Sequence, residues 1–312
     1  MSKVVHVAVG VIVGADGNIL IAKRPDKTHQ GGLWEFPGGK VEENESLFEA
    51  LKRELHEELA IQIAATEPLI KIRHDYGDKI VLLDVHKVTE FSGEPKGNEG
   101  QPIVWVNPNE LRDYEFPAAN QPIITAIQLP QRLLVTGKFN GVDDFLTRIE
   151  DALKKGIRLV QLRMNETEVI FKVIEPINEL CNKYSAGLLV NTSPSIFAQL
   201  KSRENIGLHL NSRQLFNCQL RPVAENILLS ASCHNQSEIE QAEKIGVDFI
   251  YLSPVLATKS HPHLEGIGWE LFSQLVENTK LPVYALGGMK EKDLEVSVAH
   301  GAQGIAAISE WW

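Results

Sequence analysis

Apolar and polar positions divide the chain into two regions with different rhythms. In the first region "VVHVAVGVIV" (residues 4–13) and "ILIAKR" (residues 19–24) read as strands on either side of the turn "GADGN". A helix follows a Gly/Pro-rich loop, and "LIKIRHDY", "KIVLLDVHKV" and "QPIVWV" read as further strands. "NELRDYEF" and "NQPIITAIQL" predict short helices. From about Leu133 the rhythm changes: "LLVTG", "LVQLRM", "GLLVN", "IGLHL", "ILLSAS", "FIYLSP", "PVYALGG" and "GIAAIS" are short apolar runs separated by helix-sized spacers. Such alternation predicts parallel β/α units, and eight of them predict a closed (β/α)8 barrel. The expectation is two domains: an α+β unit over residues 1–129, a mixed sheet with flanking helices, then an α/β barrel over residues 133–312. The boundary falls near "LPQR".

Bulk composition narrows the chemistry without naming it. The 312 residues exceed one ordinary core and suit two domains. A net charge of −10 argues against direct nucleic-acid binding or attraction to an anionic membrane. An anionic small molecule would need a local cation such as a metal. Cys181, Cys218 and Cys233 lie far apart without metal-type pairing, which fits a reducing compartment. The N-terminus runs directly into a strand, and no stretch reaches membrane-spanning length. A cytoplasmic enzyme is expected; oligomeric state is not legible.

"GGKVEENESLFEALKRELHEELA" (residues 38–60) carries charge where a helix should bury apolar surface. Ser46 to Glu49 form a capping box that starts the helix. At about 100° per residue, Leu47, Ala50, Leu51, Leu55 and Leu59 share one arc. Glu54 and Glu58 project into that arc, and Glu57 lies at its edge; Arg53 is placed to pair with Glu49 and Glu57. A solvated acidic face is the simpler reading, but Glu49, Lys52 and His56 already fill the solvent side. Unpartnered, partly buried carboxylates are costly or protonate. A hard divalent cation removes the conflict, because Mg²⁺ prefers carboxylate oxygens and bridges to phosphates.

The spacing Gly39, five residues, Glu45, seven residues, Arg53-Glu54-Leu55-His56-Glu57-Glu58, one residue, Ala60-Ile61 resembles the Nudix hydrolase box. That resemblance implies hydrolysis of a nucleoside diphosphate linked to another group, with Mg²⁺ (or Mn²⁺) as cofactor. It places Glu54, Glu57, Glu58 and the Gly38 carbonyl on the metal, with Arg53 orienting the carboxylates and Glu45 supporting the loop. A metal-bound Glu or Glu99, itself a further metal ligand, would act as general base. "GGLWEFPGGK", "FPAANQP" and "NEGQPIVW" resemble the MutT-type branch, which removes pyrophosphate from oxidised purine nucleoside triphosphates such as 8-oxo-dGTP. By that resemblance Asn120 reads the purine edge, Phe36 lines the base pocket, and Arg24, His29 and Glu35 lie near the nucleotide. From the residues alone, Phe36 could be plain core and Asn120 a helix N-cap. The box departs at Ala60, where the family has Gly in a left-handed turn; a changed helix exit is expected.

The second region resembles thiamine-phosphate synthase and its thiazole tautomerase relative, through "VQLRM", "LLVN", "IGLHL", "SASCHNQSEIEQAEKIGVDFIYLSPVLATKS" and "PVYALGGM…GAQGIAAIS". This implies a TIM-type barrel with function at the C-terminal strand ends, where Gln161, Arg163, Asn191, His209, His234, Lys259, Gly287, Gly288 and Ser309 fall. Of these, Gln161, Arg163, His234, Gly287 and Gly288 are candidates for holding a barrel ligand. Gly287-Gly288 resemble a backbone phosphate cradle. Three positions depart from the synthase pattern: Asn165 replaces a Lys, Thr192 an Asp, and Gln214 a second Asp. A departing pyrophosphate then has little to stabilise it, so synthase activity is not expected. His261 and His263 read as loop residues, and Trp311-Trp312 as a seal at the barrel's end. The leading expectation is nucleotide-pool sanitation, with consequences for DNA replication and repair. The alternatives are a Nudix hydrolase of a thiamine-pathway diphosphate, or a barrel that regulates by binding a phosphate ligand.

Overall fold

The computed structural model describes residues 4–27, 30–75, 77, 80–164, 166–200, 205–258 and 265–312. His29, Asn165, Lys259, His261 and His263, singled out above, lie outside them. The chain separates into two compact units, Met1–Gln128 and Leu129–Trp312.

In the first unit β1 (Val4–Val13) is the pivot of a seven-stranded mixed sheet. It runs parallel to β6 (Ile80–Ser92) and antiparallel to β2 (Ile19–Lys23) and β4 (Gly38–Lys40). Strands β3 (Trp34–Glu35) and β7 (Ile103–Val106) pair with β2, and β5 (Gln62–Asp75) pairs with β6. Because side chains alternate across a pleated strand, neighbours on β1 serve opposite layers. Ala8 and Ile12 pack with Leu51, Leu55 and Leu59 of helix α1 (Leu47–Leu59). Val9 and Val11 pack with Ile123 and Ile124 of helix α2 (Gln121–Gln128). Each of those α1 leucines is fully buried, worth about 1.5–3 kcal/mol apiece against exposure. "NELRDYEF" forms a 3-10 helix over Pro108–Asp113.

The second unit is a closed barrel of eight parallel strands: β8 (Arg132–Val135), β9 (Leu159–Arg163), β10 (Gly187–Asn191), β11 (Ile206–Leu210), β12 (Leu229–Cys233), β13 (Phe249–Leu252), β14 (Val283–Leu286) and β15 (Gly304–Ala307). Helices α3 (Val142–Lys154), α4 (Thr167–Lys183), α5 (Pro194–Phe197), α6 (Ser212–Asn217), α7 (Gln236–Lys244), α8 (Gly268–Glu277) and α9 (Leu294–Ala299) follow the first seven strands in turn. β15 closes on β8 through the Ala306–Leu133 pair. Trp312 packs on Phe145 with ring centroids 5.1 Å apart and donates from Nε1 to the Lys138 carbonyl at 2.7 Å. The chain's last residue therefore pins the segment that follows β8.

Candidate active site

The capping box sets where α1 begins. The Ser46 hydroxyl accepts from the Glu49 amide, and the Glu49 carboxylate accepts from the Ser46 amide. This corrects the pairing expected for Arg53: Glu49 is committed to the helix start and is not its partner. The Arg53 guanidinium instead donates to Glu45 twice at 2.9 Å, to Glu54 at 2.7 Å and to the Lys40 carbonyl at 3.0 Å. It therefore ties the helix to the loop before it and to β4. Its hydrogen bond, with that from the Glu42 amide, holds the Glu45 carboxyl down at about 2. Glu57 lies 3.7 Å from Arg53 and stays exposed.

Helix and sheet meet at Gly38-Gly39 with no room for a side chain. A Cβ on Gly38 would lie 2.1 Å from the Ala8 carbonyl oxygen. One on Gly39 would lie 2.1 Å from Cδ of Glu54, so the Glu54 carboxylate lies flat against the backbone. Glu58, one turn on, accepts from the Gly38 amide at 3.2 Å. Burial pushes the Glu58 carboxyl up to about 8, and the charges of Glu35, Glu54 and Glu99 push the same way. Glu35, ion-paired with Arg24, is also raised, because burial outweighs its cation. The charges of three other carboxylates thus converge on Glu58 beside Gly38, and Glu58 has no cation of its own among the described residues.

Like charges splay, and these spread over two partners: Glu54 and the exposed Glu57 share the Arg53 guanidinium, at 2.7 and 3.7 Å, and Glu58 takes the Gly38 amide. Among the described residues no three acidic, histidine or cysteine side chains are already gathered at coordinating distance. The donor chemistry nonetheless fits a divalent cation. All the groups are hard oxygens, and the half-buried Glu58 carboxylate carries a desolvation cost that a bound cation would relieve.

Loop residues 96–101 close the C-terminal end of α1. The Lys96 amide donates to the Leu59 carbonyl, and Asn98 and Gln101 donate to those of Glu57 and Glu58. Sequence reasoning found Glu99 in this loop and missed Asn98 and Gln101, which flank it. The signal was the helix end itself, whose last carbonyls must find donors. Ala60 corrects another expectation. It holds the left-handed conformation at φ 57°, ψ 28°, and its amide reaches the His56 and Leu55 carbonyls. The exit is a left-handed turn despite the Cβ, because hydrogen bonds and the buried Ile61 fix both sides of it.

Of the residues expected near a base, Phe36 is buried in the α2-side core, stacked on Phe116 at 5.2 Å. Asn120 ends a short 3-10 turn, Ala118–Asn120, that leads into α2. Its backbone amide donates to the Pro117 carbonyl at 2.9 Å, and its half-buried side-chain amide has no hydrogen-bond partner among the described residues.

In the barrel, Gln161 points inward from β9 and is 2% exposed, with Oε1 unpartnered among the described residues. Two residues on, Arg163 is exposed at the strand end without an ion pair among the described residues. His209 is wholly buried between two hydroxyls, Nδ1 to Ser230 and Nε2 to Ser232, both at 2.8 Å. It stacks on Tyr251, and burial, with the Arg163 charge, drives its imidazole down to about 3. It is a structural group held neutral. His234 is exposed, and its Nδ1 donates to the Ser253 carbonyl at 2.6 Å, which turns Nε2 away from that contact. Gly287 and Gly288 have φ of 98° and 72°, and a Cβ on them would lie 2.8 Å from Pro254 and from the Ala257 carbonyl. Close packing of that loop accounts for both glycines. Thr192 is buried, and Gln214 spends its side chain on the Asn211 capping box of α6.

Comparison with known families follows these two units. The NUDIX domain profile matches residues 8–126, and the thiamine monophosphate synthase profile matches residues 133–311. An 8-oxo-dGTP diphosphatase of Proteus vulgaris is 44% identical over 98 residues, 31% of this chain and 88% of its own. The CTP pyrophosphohydrolase of Escherichia coli is 40% identical over 118 residues, 38% of this chain and 87% of its own. A putative thiamine-phosphate synthase 2 of Aquifex aeolicus is 34% identical over 185 residues, 59% of this chain and 98% of its own. The chain therefore belongs to the Nudix family through its first unit and to the thiamine monophosphate synthase family through its second. The first unit is that of a Nudix hydrolase, a class that splits nucleoside diphosphate derivatives with the help of a divalent cation.

Proposed function

We propose that the first unit hydrolyses oxidised purine nucleoside triphosphates, 8-oxo-dGTP foremost, to the monophosphate and pyrophosphate, and so keeps damaged precursors out of DNA. The observation that supports hydrolysis is the packing of Glu54 and Glu58 against Gly39 and the Gly38 amide, and the observation that points to this substrate is the 44% identity to an 8-oxo-dGTP diphosphatase. Mg²⁺, with Mn²⁺ as substitute, would be held by Glu54, Glu57, Glu58, Glu99 and the Gly38 carbonyl. When bound it supplies charge neutralisation of the phosphates and a more acidic water. Arg53 keeps Glu54 and Glu45 in place during turnover, and Arg24 holds Glu35. Glu58 or Glu99 takes the proton from the attacking water. The free amide of Asn120 offers both a donor and an acceptor to a modified purine edge.

The test is a panel of 8-oxo-dGTP, dGTP, CTP and hydroxymethylpyrimidine diphosphate. The expected result is preference for 8-oxo-dGTP, and loss of discrimination against dGTP by about tenfold or more in Asn120→Ala, since an unpaired polar edge is strongly disfavoured. Preference for CTP, or unchanged selectivity in that variant, would remove Asn120 as the base reader.

A second reading directs the same hydrolysis at a thiamine-pathway diphosphate, with the barrel holding a phosphate ligand. It is favoured by Gln161 and Arg163 on one strand, a buried carbonyl oxygen without a partner and a cation without an ion pair among the described residues. The departures at Thr192 and Gln214 argue against synthase chemistry in the barrel. Faster turnover of hydroxymethylpyrimidine diphosphate than of any triphosphate would select this reading.

A further inference from the structure

We propose that Gln101 is a positioning residue that clips the loop carrying Glu99 onto the helix end carrying Glu57 and Glu58. Its part in turnover rests on the hydrolase reading above; the clip itself does not.

A helix leaves its last carbonyls without intrahelical donors. Here the helix exit supplies none for Glu57, Glu58 or Leu59, since the Ala60 amide turns back to His56 and Leu55. Residues 96–101 supply them. The Asn98 side chain donates to the Glu57 carbonyl and its amide to that of Glu58, both at 2.9 Å. The Lys96 amide reaches the Leu59 carbonyl at 3.1 Å. These contacts dock the loop, but they act on the helix alone. Gln101 works at both ends. Its Nε2 donates to the Glu58 carbonyl at 2.9 Å, and its Oε1 accepts the Glu99 amide at 2.9 Å. One planar amide therefore spans the backbones of two acidic residues whose charges oppose each other. Without a tether, the exposed Glu99 would swing away from Glu58, because separation lowers their repulsion.

The task needs a donor and an acceptor on one side chain of this length. A glutamate accepts without donating, a lysine donates without accepting, and an asparagine is one methylene short. The variants follow from that.

Hydrogen exchange on the full chain without metal reads the arm of the clip that holds the Glu99 amide. In Gln101→Leu the Glu99 amide should exchange about tenfold faster or more, while the α1 amides of Leu55 and Leu59 keep their protection. Gln101→Glu, which retains the acceptor, should leave the Glu99 amide protected. In turnover, Gln101→Leu should lower kcat about tenfold with the nucleotide KM within about twofold. Added to Glu99→Gln, it should cause no further loss, because its effect runs through Glu99. Equal protection of Glu99 in Gln101→Leu and wild type would overturn the clip. Losses that multiply in the double variant would overturn its action through Glu99. If the wild-type chain hydrolyses none of the panel, the functional reading falls and the exchange result still decides the clip.

Discussion

Ala60 shows what a single methyl group does at a helix end. It occupies the left-handed region at φ 57°, where a Cβ crowds the following carbonyl at a cost of about 1–2 kcal/mol. Replacement by glycine removes that crowding and loosens the unfolded chain slightly. Ala60→Gly should therefore raise the unfolding free energy by about 1 kcal/mol in denaturant titration, and a neutral or destabilising result would mean the turn is unstrained. The half-buried placement of Glu54 and Glu58 was legible in the sequence because helical spacing alone puts them on the apolar arc. Of the Arg53 partners, Glu57 was legible from four-residue spacing, while Glu45 and Glu54 were not, and Glu49 is taken by the capping box.

At the scale of elements, the eight barrel strands were legible because each is a short apolar run bounded by helix-sized spacers. Their polar interior was not, since inward-facing Gln161, His209 and Ser230 look like interruptions of those runs. His209 makes this interior sensitive to acid. Its folded pKa, about 3, lies below the usual histidine value of 6.5. It thus contributes stability that is complete above about pH 6.5 and is lost as pH falls toward 3, at about 1.4 kcal/mol per pH unit for one proton. Imidazole NMR should show His209 neutral down to about pH 4, with the barrel weakening before the ring titrates. A His209 signal that titrates near 6.5 would contradict its enclosure between Ser230 and Ser232. The loop that caps α1 escaped sequence reading for a related reason: residues 96–101 meet the helix across more than 35 positions, and no local pattern announces such a contact.

At the scale of the molecule, each unit has its own core: two layers around the mixed sheet in the first, the barrel wall and lumen in the second. A chain of residues 1–128 should fold cooperatively and retain the nucleotide selectivity of the full chain. Circular dichroism and the same nucleotide panel check this, and an unfolded or inactive fragment would show that the barrel is required. The two-unit plan was legible because strand-helix rhythm changes near Leu133, while the barrel's ligand was not, because the departures from the synthase pattern at Thr192 and Gln214 name no ligand in its place. The central claim concerns Glu58, and the most direct measurement is 8-oxo-dGTP hydrolysis by Glu58→Gln against wild type over a range of Mg²⁺ concentrations, with Tm as the control for folding. The account expects an unchanged Tm near neutral pH, since a carboxyl pushed up to about 8 is largely protonated there and Gln keeps its shape, and a fall in kcat of about 100-fold or more that added Mg²⁺ does not restore. Wild-type turnover with unaltered Mg²⁺ dependence in Glu58→Gln would contradict it.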